Sequence, residues 1–181
     1  MPQPSPEIRD PHDFMRRSLR CGTHRCMVLR MKSPRARLES FIVKYSAEVA
    51  AEGRAVLAKM RLRLPGEIEL VYDNYNWLVV GFCPTERPSD AVFSIIFTPR
   101  WITLCFLQNG PDLPDPHGLL RGSGVRVRSI RLRSVADLDS RPIRALMKEA
   151  MLRARGLFER KGRGRIVIRA VLAKQRARRP T

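Results

Sequence analysis

Four groups of residues in this sequence have types and spacings that could do chemistry. His117 follows two carboxylates in the run PDLPDPHG, where Asp112 and Asp115 could orient its imidazole as a general base. No activated nucleophile accompanies it, and a Pro-Gly loop is the ordinary place for a solvated histidine. Gly122-Ser123-Gly124 lacks the strand-to-helix setting of a nucleophile elbow, and it has neither the Lys nor the following helix of a phosphate loop. Gly162 and Gly164 fail the dinucleotide pattern for the same reason. We therefore expect no catalytic residue and no cofactor. Cys21, His24 and Cys26 bring three soft or borderline ligands within six residues, but a closed zinc site needs a fourth, so no metal site is expected there.

The other two groups suit binding. Tyr72, Asp73, Tyr75 and Asn76 offer two phenols, an acid and an amide just before a buried strand, a set that could orient a small ligand if the fold joins it to Asp115. The structural alternative is that each Tyr caps the core while its hydroxyl finds a partner. Arg126, Arg128, Arg131 and Arg133 fall in one short strand pattern and could meet phosphates as a row. They alternate only if a β-bulge is inserted near Ser129. With it, Val125, Val127, Ile130 and Leu132 share the core face and all four Arg share the other. The alternative here is an edge strand protected from aggregation by charge.

Elements to position these groups can be read from periodicity. Ser33-Pro34 is a helix start, followed by Leu38, Phe41, Ile42 and Tyr45 on one stripe. Ser46 caps a second helix carrying Val49, Gly53, Val56, Leu57, Met60 and Leu64, stopped by Pro65-Gly66. Three apolar runs follow, at 77–82, 92–98 and 101–107. A Pro99-Arg100 hairpin pairs Phe97 with Ile102, Ile95 with Leu104, and Phe93 with Phe106. After the Pro-Gly loop and the basic strand, Ser134 to Asp137 reads as a capping box. A third helix from Ser140 carries Ile143, Leu146, Met147, Ala150, Ala154, Leu157 and Phe158. Ile166 to Leu172 alternates as a last strand, and residues 173–181 read as a solvated basic tail.

The chain has 181 residues and a net charge of +18, distributed unevenly. Residues 35–120 are nearly neutral, whereas 121–134 hold five Lys or Arg and 160–181 hold nine, both without a single acid. Such a balance favours an anionic partner, with nucleic acid or another polyanion foremost. No apolar run approaches the length of a membrane span, and the N-terminus has no apolar signal core, so a cytoplasmic setting is expected. Residues 1–33 mix Pro and Arg without periodicity and read as a disordered extension. Met15, Met27 and Met31 all precede the first element, so part of the extension could lie upstream of the native start.

VYDNYN at 71–76, RPSDAVFSI at 87–95, LPDPHGLLRGSG at 113–124 and the following VRSIRL together resemble the YdhG-like domain, a small bacterial α+β module. The resemblance spans about residues 36–155. It implies an antiparallel sheet packed by helices, in agreement with the elements read above. With no catalytic apparatus in view, the chain reads as a single α+β domain at 34–172, with N-terminal and C-terminal helices, acting as a non-enzymatic binding or interaction module that could form a homodimer. Some members of the wider family are described as frataxin-like iron chaperones. That role is disfavoured here, because only Glu48 and Glu52 stand one helical turn apart and no ridge of carboxylates exists.

Overall fold

The computed structural model describes residues 33–154 and 164–180, all within one compact unit, Lys32–Thr181. Of the extension expected at 1–33, only Ser33 is among the described residues, where it caps a helix; the Cys21-His24-Cys26 group, Leu157 and Phe158 lie outside them. The fold is α+β: a six-stranded, mostly antiparallel sheet with three α-helices.

Two serines start the helical layer as their sequence positions require. Ser33 Oγ accepts from the Ala36 amide at 3.2 Å to open α1 (Pro34–Ile42), and Ser46 Oγ accepts from Val49 at 3.3 Å to open α2 (Ala47–Arg63). Both helices turn the predicted apolar stripes inward. Gly53 sits in the middle of α2 because the helix crosses the sheet there, and a Cβ at this position would overlap the Phe97 ring.

Strands β1 (Ile68–Asp73), β2 (Leu78–Cys83), β3 (Phe93–Phe97) and β4 (Ile102–Phe106) form an antiparallel meander. The β3–β4 hairpin has the register expected from the sequence, with Phe97 opposite Ile102 and Phe93 opposite Phe106. β5 (Arg128–Leu132) adds antiparallel to β4. After a 3-10 turn at Val135–Asp139 and α3 (Arg141–Arg153), β6 (Ile166–Val171) returns to the far edge beside β1, giving the order β5-β4-β3-β2-β1-β6.

Several expectations are corrected. β6 runs parallel to β1, so the sheet is not antiparallel throughout. β1 is not among the expected strands, and Tyr72 and Asp73, expected just before a buried strand, lie inside β1 itself, ahead of β2. No bulge occurs at Ser129: Cys105 faces Ser129 and Leu104 faces Ile130 in regular register. Val125 is 92% exposed and no part of the core, and the strand begins only at Arg128. Ser134 makes no side-chain cap; instead Asp137 Oδ2 accepts from the Arg133 amide at 2.8 Å.

The tail is not wholly solvated. Arg178 is 5% exposed, and its Nη2 donates to Asp73 Oδ1 at 2.9 Å and to the Asn74 carbonyl. Asp73, fully buried at the end of β1, also accepts from Lys44 Nζ at 2.6 Å. Gln175 donates to the Asp73 carbonyl and accepts from Lys44. Beside this cluster the buried Tyr45 hydroxyl donates to the Phe97 carbonyl and accepts from the Leu78 amide, and burial pushes its pKa up to about 12. Removing Asp73 would strand a buried guanidinium without its counter-ion. Asp73→Ala should therefore cost about 3–5 kcal/mol of unfolding free energy, measured by urea titration; a loss under about 1 kcal/mol would contradict this account.

Candidate functional site

The two faces of the sheet differ in cover. The main core combines residues of all three helices with Val71, Leu78, Val80, Phe82, Phe93, Ile95, Phe97 and their even-numbered partners on β4 and β5. On the other face a smaller cluster of Leu70, Cys83 and Ala91 is packed by Ile68, Tyr72, Leu107 and Val167, none of them helical. Among the described residues, loops pack over the lower part of that face. Gln108 Nε2, for example, donates to the Ser89 and Ala91 carbonyls.

Above those loops one register row crosses the sheet from β1 to β5 through Tyr72, Val79, Ile96, Thr103 and Arg131. Alternation puts all five on the helix-free side. Tyr72, Val79, Ile96 and Thr103 are half-buried and Arg131 is exposed. The row spans four strand spacings, ~19 Å. Along the upper edge of the sheet stand Trp77, one residue before β2 and 44% exposed, and Trp101, one residue before β4 and two strands away. The Arg131 guanidinium lies over the Trp101 ring, 4.1 Å from its centroid. Exposed Arg100 and Arg133 flank this stack, and a cavity of about 350 Å³ opens next to it against Glu48 and Glu52 of α2.

The sequence-derived sites divide on this geometry. Of the four Arg expected in one row, Arg131 and Arg133 share the helix-free side of the pleat. Arg128 alternates with Ile130 and Leu132 on the other side, and its Nη1 folds back onto the Gly124 and Val127 carbonyls. Arg126 is exposed in the preceding loop, where its carbonyl accepts from the Gly110 amide at 2.9 Å. The reason is the missing bulge: without an extra residue, even and odd positions cannot face the same way. The loop also returns along β5, where Arg121 and Ser129 exchange backbone hydrogen bonds.

The Tyr-Asp set is not gathered into one pocket. Tyr72 and Asp73, being adjacent in a strand, point to opposite faces, and Asp73 is committed to Lys44 and Arg178. Tyr75 and Asn76 are exposed in the β1–β2 turn. Asp115 belongs to the β4–β5 loop, three strands away in the sheet order, and its two oxygens accept from the Leu119 and Leu120 amides at 2.9 and 2.7 Å. Asp115 is thereby engaged by its own loop, and His117 is exposed beside it. Among the described residues no three His, Cys, Asp or Glu side chains cluster as metal ligands, and no helix is long and apolar enough to cross a membrane.

Two features escaped sequence reasoning. Trp101 precedes Arg131 by thirty positions and meets it only through β4–β5 pairing, so no local pattern could join them. Glu67 is 7% exposed, and its Oε2 has no partner among the described residues. Burial pushes its pKa up to about 7. No family model matches the chain, nor does any curated protein or solved structure.

Because the folded pKa of Glu67 lies above the ordinary value of 4.5, its protonated form is favoured by folding. Its contribution to stability is full below about pH 4.5 and is lost as pH rises through 7. Between pH 5 and 8 the wild type should lose roughly 2–3 kcal/mol more unfolding free energy than Glu67→Gln, which cannot ionise. Parallel urea curves for the two proteins across that range would contradict the assignment.

Proposed function

We propose that this protein is a non-catalytic binding module of the cytoplasm whose helix-free sheet face engages single-stranded nucleic acid. The observation that carries this reading is the Arg131–Trp101 stack at the β5 end of the sheet row, with Trp77 two strands away along the same upper edge of the sheet. Nucleic-acid bases stack on exposed aromatic rings and guanidinium planes, while cations track the phosphates. Here Trp77 and Trp101 provide rings, and Arg100, Arg131 and Arg133 provide charge beside them. The side chain of Arg133 is 88% exposed, with only a 3.5 Å contact to Asp137, so its guanidinium is available to an anion. The net charge of +18 would draw any polyanion to the molecule, and the stack would select those with exposed bases.

The resemblance to YdhG-like domains supports the frame of this reading, a small α+β domain used for binding. The working surface differs from the one the sequence suggested. It combines the upper end of β5 with the two Trp, instead of a row of four Arg and a free tail.

Fluorescence anisotropy with a labelled single-stranded oligonucleotide tests the proposal. Affinity should fall steeply with salt, and Trp101→Ala should weaken binding by about 1–3 kcal/mol, or roughly fivefold to a hundredfold. Arg133→Gln should lower the salt slope by about one. Affinity that is flat across salt, or untouched by Trp101→Ala, would overturn it.

A further inference from the structure

A second cleft lies at the lower end of the sheet on the helical side, where α1, the end of α2 and the beginnings of β1 and β6 meet. It holds about 480 Å³. Leu64, Phe82 and Ile166 give it apolar walls, and Glu67 and Glu69 both line it. The two acids are in different situations. Glu69 is bound by both nitrogens of an Arg61 fork, at 2.6 and 2.7 Å, and is fully satisfied. Glu67 is also more than nine-tenths buried, yet its Oε2 has neither solvent nor a partner among the described residues.

Among the described residues, the charged groups around Glu67 leave it without a counter-ion. On α2, Arg61 is committed to Glu69; on β1, Glu69 carries the same sign as Glu67. Arg165, at the entry to β6, pairs with Glu86, and Arg35 of α1 is exposed. Glu67 lines this largely apolar cleft with its carboxylate unpaired among the described residues and Oε2 sealed by its surroundings, so the occupant that would neutralise it is a donor cation on an apolar body that reaches the other oxygen. One unpartnered carboxylate cannot furnish the six or more oxygens that a hard metal ion takes, which leaves N–H donors as the fitting chemistry. The backbone packs tightly beside the cleft: Gly66 has φ 92°, and a Cβ on Gly164 would press to 3.1 Å from the Glu67 carbonyl.

We propose that this cleft binds a small organic cation, an apolar body bearing a primary ammonium or amidinium whose N–H groups donate to the Glu67 carboxylate. Leu64, Phe82 and Ile166 enclose the hydrocarbon part. Because the cation binds the ionised form, it displaces the proton that burial favours, and binding tightens as pH rises.

The test is an amide NMR titration of the full chain with benzylammonium, against benzyl alcohol as the neutral analogue. Saturable shifts are expected at Gly66, Glu67 and Ile166, with affinity about tenfold higher at pH 8 than at pH 6, since a group titrating near 7 changes its ionised fraction about tenfold over that interval. Benzyl alcohol should bind at least tenfold more weakly, and Glu67→Gln should lose both the affinity and its pH dependence. A carboxyl-carbon titration of Glu67 in the wild type gives an independent readout, which benzylammonium should move to lower pH. Shifts that do not saturate, equal binding of the alcohol, unchanged affinity in Glu67→Gln, or a Glu67 titration unmoved by benzylammonium would each overturn the proposal. None of these readouts involves the nucleic-acid face.

Discussion

The carboxylate of Asp73 is the constraint around which the upper end of this molecule is arranged. A buried anion is costly unless it is paired, and here two cations reach it from distant parts of the chain: Lys44 from the turn between α1 and α2, and Arg178 from the C-terminal segment. The same turn supplies Tyr45, whose hydroxyl ties the end of β3 to the start of β2 and whose ring lies 5.7 Å from the Arg178 guanidinium carbon. Helical layer, sheet and tail therefore meet at one charge. Replacing the cluster with apolar groups could match its stability, but a carboxylate accepts only donors in the right places, so the cluster fixes which segments come together.

Much of the frame was legible because it rests on local rules. Ser33 and Ser46 cap because a hydroxyl before a helix satisfies an otherwise open amide, and the β3–β4 hairpin sorts itself because Phe and Ile alternate with small polar residues. β1 was missed because Glu67, Glu69 and Asp73 interrupt its apolar pattern. The partners that make two of those acids tolerable, Arg61 and the Lys44–Arg178 pair, are brought in by tertiary structure. The bulge at Ser129 failed for a related reason. It assumed that Val125 and Val127 were core residues, and they are exposed in a loop that closes back on β5.

The candidate site was legible in its charge and not in its geometry. Arg131 and Arg133 were singled out, but their significance comes from Trp101, supplied by the neighbouring strand. Tyr72 was singled out as well, and it does lie on the helix-free row, separated by the pleat from the Asp73 with which it was grouped. Sequence adjacency in a strand means opposite faces, whereas residues thirty positions apart on neighbouring strands can touch.

The parallel pairing of β1 with β6 bears on how the chain reaches this state. Glu69 finds Ile166 roughly a hundred residues later, whereas the meander from β1 to β4 closes through short turns. The meander can thus assemble first and must wait for its sixth strand. Meanwhile the outer edge of β1 is a bare row of amides and carbonyls, and Asp73 at its tip lacks the Arg178 cation. Docking the last strand covers that edge and moves the sheet boundary to a strand carrying the exposed charge of Arg169, which discourages edge-to-edge pairing, and the chain is most exposed to misassembly before that strand docks.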